Sequence, residues 1–176
     1  MPPPLRRAAA LGVSYRTMQE EDVPFVAAVY ASTRTEELAV TGWPDEMKEA
    51  FLAQQHRAQH HHYQTYYPSA EWLIVERGGA PIGRIYIDEG EREIRLIDIA
   101  LIPGQRGAGI GRAMIGDLVE HAGERGKAIS LHVEPNNPVR PLYVRVGFES
   151  MGLNGAYEAM LWRPEGPAEA QKNTAS

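Results

Sequence analysis

Cysteine is absent from this 176-residue chain, so neither a disulfide framework nor a thiolate-ligated metal site can form. No run approaches the ~20 consecutive apolar residues of a membrane span, which argues against membrane integration. Positive charge is in short supply: 18 Lys and Arg stand against 23 Asp and Glu, a formal net charge of -5. Phosphate neutralisation needs clustered cations, so a dedicated nucleic-acid binder is disfavoured. The short Ala-rich run within Met1–Val13 falls below the ~7–15 apolar residues of a secretory leader, and a cytoplasmic location is expected. Internal repeats and interior linkers are also missing. What is present is 43% apolar, enough for one domain with a buried core and too short for two sizeable ones. The ends are rich in proline and small residues without a hydrophobic period. The expected division is therefore a flexible segment over 1–12, a single domain over 13–163 and a flexible tail over 164–176.

Strands and helices interleave through the domain. Val13–Arg16 reads as a short first strand, and Asp22 as the N-cap of a helix that buries Phe25, Val26, Val29 and Tyr30. A second helix is expected from Asp45 to about Tyr66, with Met47, Phe51 and Ala58 as a weak apolar stripe. Glu71–Glu76 and Pro81–Asp88, joined through Gly78-Gly79, form a hairpin. Glu93–Ile102 is apolar at its centre except for Asp98, as expected of a strand covered on both faces. A helix then buries Ile110, Ala113, Met114, Leu118, His121 and Ala122 and stops at Gly126. Ile129–Val133, a short helix around Leu142–Val146, and strands near Phe148–Met151 and Tyr157–Trp162 complete the order. The class is a mixed α/β sheet, mostly antiparallel early, with one strand–helix–strand crossover late.

Gly107, Gly109 and Gly111 lie where the central strand gives way to a helix. Missing Cβ atoms and the unpaired N–H groups of a first helical turn suit an anion such as phosphate. Arg106 and Arg112 flank them with positive charge. The same glycines also make a tight strand-to-helix turn, and both readings stand on this loop alone. The dinucleotide fingerprint fails because Arg112 holds its third glycine position, and no Gly-Lys-Ser/Thr follows for a Walker loop. Asp98 and His132 are candidate general bases; a structural carboxylate paired with Arg84 or Arg95, and a packed strand histidine, are the competing readings. His56, His60, His61 and His62 crowd one helix. The four-residue spacing of His56 and His60 can ligate zinc, but the Glu of a His-Glu-x-x-His motif is missing, and a solvated helix face accounts for them.

Ile99–Arg112, with Arg106 to Gly111 as an Arg-x-x-Gly-x-Gly-type core behind a strand and proline, resembles the pyrophosphate loop of the GNAT superfamily of acyl-CoA-dependent N-acyltransferases. Leu131-His132-Val133, Asn136-Asn137-Pro138, Leu142-Tyr143 and Gly147-Phe148 follow in that family's order. The resemblance implies the GNAT fold: a twisted, mostly antiparallel sheet of about six or seven strands flanked by about four helices. It implies acetyl-CoA as co-substrate and no metal. Backbone groups of Ile99, Ala100 and Leu101 would pair with the pantetheine arm, and Arg106, Gly107, Ala108, Gly109, Ile110, Gly111 and Arg112 would hold the pyrophosphate. Asn137, or Asn136, would bond the cofactor, and Tyr143 would donate a proton or hydrogen bond to the departing thiolate. Asp98, His132 or a water relay would deprotonate the acceptor. Pro141 departs from the family pattern: a helix capped by Asn137 would lose its first backbone bond there, unless it begins later.

The implied activity is transfer of an acetyl group to the primary amine of a small molecule or peptide, by a monomer or homodimer without nucleic-acid or membrane partners. The early helices, with Arg34, Glu36 and Glu37 near them, would flank the acceptor. A non-catalytic acyl-CoA-binding or sensing module, and a phosphate-loop nucleotide binder, are the alternatives.

Overall fold

The computed structural model describes residues 2–164, and the tail expected over 164–176 lies outside it but for Pro164. Seven strands form one sheet in the order β1-β2-β3-β4-β5-β7-β6. They are β1 (Val13–Thr17), β2 (Glu71–Arg77), β3 (Ala80–Glu89), β4 (Glu93–Leu101), β5 (Ala128–Val133), β6 (Glu149–Asn154) and β7 (Tyr157–Trp162). Neighbours run antiparallel except β4 and β5, the pair joined by the helical crossover. The expected mixed, mostly antiparallel sheet is thus what forms.

Four helices fall where the periodicity puts them: α2 (Val23–Thr33), α4 (Asp45–Tyr66), α5 (Ile110–Arg125) and α6 (Arg140–Val146). Two short ones, α1 (Arg7–Ala10) and α3 (Thr35–Ala39), were not expected. In place of a flexible start, α1 docks on α5. The buried Asp117 carboxylate of α5 accepts the N–H groups of Arg6, Arg7 and Ala8, and Ala8 is fully buried. Arg6 and Arg7 both pair with Glu120. Asp22 holds the N-cap position of α2 as expected, but its side chain makes no capping bond. Its carboxylate turns back to the Arg16 guanidinium at 2.7 Å and the Gln19 N–H at 2.8 Å, which holds it down near pKa 2.

One face of the sheet makes the main core. Leu73, Val75, Ile85, Ile87, Ile94 and Leu96 pack there against Ile110, Met114, Ile115 and Leu118 of α5. At about 25 cal/mol per Å² of apolar surface, each fully buried branched side chain contributes roughly 1.5–3 kcal/mol. The other face carries α2 and α4 and is polar at its centre. Among the described residues no helix is long and apolar enough to cross a membrane.

Candidate active site

β4 and β5 pair only across Glu93–Arg95 and Ala128–Ser130. Beyond that point β5 pairs with β7 alone and β4 with β3 alone, so the sheet forks. The β3–β4 register slips between Tyr86 and Ile87: Tyr86 faces Asp98 while Ile87 faces Leu96, leaving Ile97 as a bulge. Ile99, Ala100 and Leu101 lie along the open flank, half-buried, where a ladder of backbone groups has lost one neighbour. The expectation that β4 is covered throughout holds only to Leu96: beyond it the strand is half-buried, and its edge is open where β5 diverges.

The glycine loop closes the end of the fork. Gly107 and Gly109 have φ of 76° and 82°, a region that side chains with Cβ avoid, and Gly109 is the N-cap of α5. The first helical bond runs from the Ala113 N–H to the Gly109 carbonyl at 3.0 Å, so the N–H groups of Gly111 and Arg112 have no helical acceptor. A Cβ placed at Gly107, Gly109 or Gly111 would meet nothing within 4 Å. The loop is therefore an open cradle of donors at a helix N-terminus, an arrangement whose chemistry suits an anion. Gly107 and Ala108 are exposed on it, and Ile110 anchors it in the core. Arg106 is employed differently from the expectation of a free cation: its Nε donates to the Leu101 carbonyl at 2.9 Å and its Nη2 to Ser32 Oγ at 3.0 Å, tying the loop to β4 and α2. Beside the cradle runs an open groove of about 390 Å³, lined by Arg7, Gly109, Arg112, Ala113, Gly116, Val119 and Val146. Arg7 reaches this groove through the docking of α1 on Asp117, a carboxylate inside the apolar stripe of α5 and the one sign of it in the sequence.

α6 begins at Arg140, so Pro141 falls in its first turn, where a missing N–H costs nothing. The Asn137 side chain accepts the Val139 N–H at 3.0 Å, shaping the turn before the helix, and Asn136 and Asn137 are both exposed. Arg140 grips both carboxylate oxygens of Glu158 on β7, at 2.5 and 2.9 Å, and so fixes α6 against the sheet. Tyr143 is buried, with its ring 5.4 Å from Phe148. Burial, with the charge of Asp98 adding, pushes its hydroxyl well above the ordinary tyrosine range. His132 is largely exposed, with Nδ1 2.7 Å from the Arg95 guanidinium; partial loss of solvent around the ring and that cation lower its affinity for a proton.

Across the fork lies a polar layer. Arg84 on β3, only 2% exposed, touches the Asp98 carboxylate at 2.5 Å and donates to Gln59 Oε1 at 3.1 Å. The rings of Tyr86 and Tyr30 stand 5.2 and 6.0 Å from its guanidinium carbon. α4 contributes Gln59, His60 and Tyr63 to this side and buries His56, which lies 5.8 Å ring to ring from Tyr30. The expected stripe of Met47, Phe51 and Ala58 is exposed, so α4 is turned by about one position from the reading; a solvated face describes His61 and His62 but not His56. Burial, with Arg84 and His60 adding, lowers His56 to a pKa of about 4. Arg34 bridges Glu37 and Glu134 at the edge of this layer, while Glu36 is exposed. Among the described residues no group of three or more His, Asp or Glu is placed to hold a metal ion.

The model of the acetyltransferase (GNAT) family matches residues 29–148. A 66-residue stretch is 32% identical to the [ribosomal protein bS18]-alanine N-acetyltransferase of Haemophilus influenzae, covering 37% of this chain and 45% of that protein. An equally long stretch is 41% identical to an uncharacterized protein of Mycobacterium leprae, covering 37% of this chain and 18% of that one. The matches thus span less than half of either relative. Among solved structures, the PaiA N-acetyltransferase from Thermoplasma acidophilum in complex with coenzyme A superposes with a TM-score of 0.63 at 17% identity, over 86% of this chain and 98% of that one. A likeness at that identity bears on the fold, and the fold is the same.

Proposed function

Since this chain belongs to the acetyltransferase (GNAT) family, we propose that it transfers an acetyl group from acetyl-CoA to a primary amine, in the cytoplasm. The observation that carries the reading is the fork between β4 and β5 ending in the open, donor-rich glycine loop. In this reading Ile99, Ala100 and Leu101 present backbone groups to the pantetheine arm, and the loop from Gly107 to Arg112 takes the pyrophosphate. Arg106 supports the loop rather than touching it, and Arg7 joins Arg112 on the groove beyond. Asn137 stands at the entrance of α6, within reach of the cofactor side.

Bound acetyl-CoA supplies a thioester carbonyl, at which the C–N bond forms as the C–S bond breaks. Backbone N–H groups beside the bulge stabilise the carbonyl oxygen as charge develops there. Tyr143 keeps its proton at neutral pH, so it donates a hydrogen bond to the departing sulfur, which takes its proton from solvent. Asp98 faces the acceptor. Its Oδ2 is held by Arg84, as His132 Nδ1 is by Arg95, so the other Asp98 oxygen is the one left to take a proton. The acceptor's proton leaves by Asp98 or water. The relative that acts on an alanine of a ribosomal protein supports a peptide amine among the acceptors; small-molecule amines and a monomeric or homodimeric state fit the same site.

A thermal shift with acetyl-CoA, against ADP, NAD and desulfo-CoA, tests the reading. Saturation at ~100 Kd adds about 2.7 kcal/mol, or some 5–10 °C for a domain of this size. A shift with acetyl-CoA well above that with ADP is expected. No shift with any CoA species would return the glycine loop to a turn and the enzyme reading would fall. Binding without turnover on any amine would favour the sensing module.

A further inference from the structure

Four buried side-chain polar atoms among the described residues make no regular hydrogen bond: Nε of Arg34 and Nε and Nη1 of Arg84, which meet no acceptor, and Oδ2 of Asp98, whose one partner is the Arg84 guanidinium. All four lie in the layer between α2, α4 and the sheet. Arg34 and Arg84 both stand over the Tyr30 ring, at 5.6 and 6.0 Å, and Arg84 touches Asp98. Buried polar groups are nearly always satisfied, by protein, ordered water or ligand, so these atoms call for a partner that the fold alone does not supply. Three of the four are N–H donors, so the missing partner is an oxygen. Arg84 is the sharpest case: it is 2% exposed, its Nη2 is shared by Asp98 and Gln59, and its other two nitrogens have only the Tyr86 side chain beside them.

Resting on the acetyltransferase reading, we propose that the acceptor is an α-aminoacyl compound, with its amine at Asp98 and the carbonyl or carboxylate oxygen on the adjacent carbon at Arg84. The pairing on the protein mirrors that on the ligand. A carboxylate and a guanidinium stand in contact at the fork, and an α-amino acid carries an ammonium and a carboxylate group on one carbon. The free Asp98 edge reaches solvent, being 21% exposed, whereas Arg84 does not, so the amine enters first and the oxygen follows as it seats. Tyr86 and Tyr30 hold the guanidinium from the ring side, and a neutral His56 beneath adds no competing charge. A polyamine or a lysine side chain offers no oxygen on the carbon adjacent to its amine-bearing carbon and leaves the same donors unmet. A site built to bond an oxygen discriminates strongly against the analogue lacking it, because the buried donors are then left without a partner.

The test is a matched acceptor panel on the full chain with acetyl-CoA: L-amino acids, their amides, and the amines left by removing the carboxyl group. Thiol release is measured for each, beside a thermal shift with each compound alone. Acids or amides exceeding the matching amines by about a hundredfold in kcat/KM is the expected result. Preference for the acid places a full carboxylate at Arg84, and preference for the amide places a peptide carbonyl there. Equal or faster turnover of the amines overturns the proposal, as does stabilisation by acetyl-CoA with no turnover of any panel member. The acetyltransferase reading survives the first of these, whereas failure of acetyl-CoA to bind removes both. Arg84→Gln is expected to raise KM for the best acid or amide at least tenfold and leave Kd for acetyl-CoA unchanged. Should that variant not fold, the wild-type panel decides alone.

Discussion

The helices α5 and α4 lie on opposite faces of one sheet and are held there by different forces. α5 buries half of its 16 residues, six of them apolar, and begins in a loop whose shape its glycines dictate. α4 is longer, at 22 residues, yet it buries only His56 and turns Gln59, His60 and Tyr63 toward a buried ion pair. Apolar packing fixes a helix to a fraction of an ångström, because any displacement opens a cavity. A polar layer holds its helix by a few directional bonds, and these can be exchanged for bonds to a ligand. The face proposed to hold the common co-substrate is thus rigid, and the face proposed to take the acceptor can be retuned without disturbing it.

Deleting packing on each face is the strongest way to break this contrast. Met114→Ala, in the α5 core and 1% exposed, is expected to cost about 4 kcal/mol in denaturant unfolding. Phe51→Ala on α4, where the ring is 37% exposed, is expected to cost less than about 1 kcal/mol. Similar losses at both positions would show that α4 is as firmly packed as α5.

Acid sharpens the contrast from the polar side. His56 binds its proton near pH 6.5 when unfolded and near pH 4 when folded, so protons favour the unfolded chain between those values. Stability that is whole above pH 6.5 is lost as pH falls toward 4, on the order of 3 kcal/mol. The carboxylates of Asp22 and Glu158, held near pKa 2 by Arg16 and Arg140, lose their contributions mainly below that window. Urea unfolding at pH 7 and pH 4.5 should therefore show a smaller acid loss for His56→Leu than for the wild type. An unchanged loss would mean that His56 is accessible to protons in the fold.

The same contrast decides what the sequence could reveal. The glycine loop is a local signal, since Gly107 and Gly109 sit at positive φ within a few residues of the strand and helix they join. The buried stripe of α5 was legible for the same reason: apolar residues at helical spacing have one place to go. α4 kept its predicted ends, Asp45 and Tyr66, but not its predicted face. Met47 and Phe51 suggested an apolar stripe, while the true partner was the Arg84–Asp98 pair, which favours His, Gln and Tyr. That pair is formed across a bulge between two strands, and no helical period encodes it. α1 was missed because its anchor, Asp117, is more than a hundred residues away in the chain. The Asp22 side chain looked like a cap because spacing cannot say which of two neighbours, Arg16 or the α2 N–H groups, claims a carboxylate.

At the junction of the two faces, Tyr143→Phe removes one hydroxyl and leaves the ring packed on Phe148. With Tyr143 as the hydrogen-bond donor to the leaving sulfur, kcat is expected to fall about 10–100-fold, with little change in Kd for acetyl-CoA and a fold as stable as before. Unchanged kcat would pass the role to water and leave the proposed acceptor side untouched.

The smallest expected effect separates ligand-driven from fold-driven sequence on the α5 face itself. Gly111 lies inside the first turn of α5 at an ordinary helical φ, and a Cβ there would touch nothing. Neither backbone strain nor packing requires glycine at this position, and glycine weakens a helix by about 1 kcal/mol relative to alanine. If the turn were only structural, Gly111→Ala would be pure gain. With a pyrophosphate lying on the N–H groups of that turn, the added methyl stands in the approach. The expected outcome is therefore split: a melting temperature raised by roughly 2–4 °C without ligand, and a Kd for acetyl-CoA weakened by about tenfold. A rise in stability with unchanged affinity would free Gly111 from the ligand and shift the cradle toward Gly107 and Gly109.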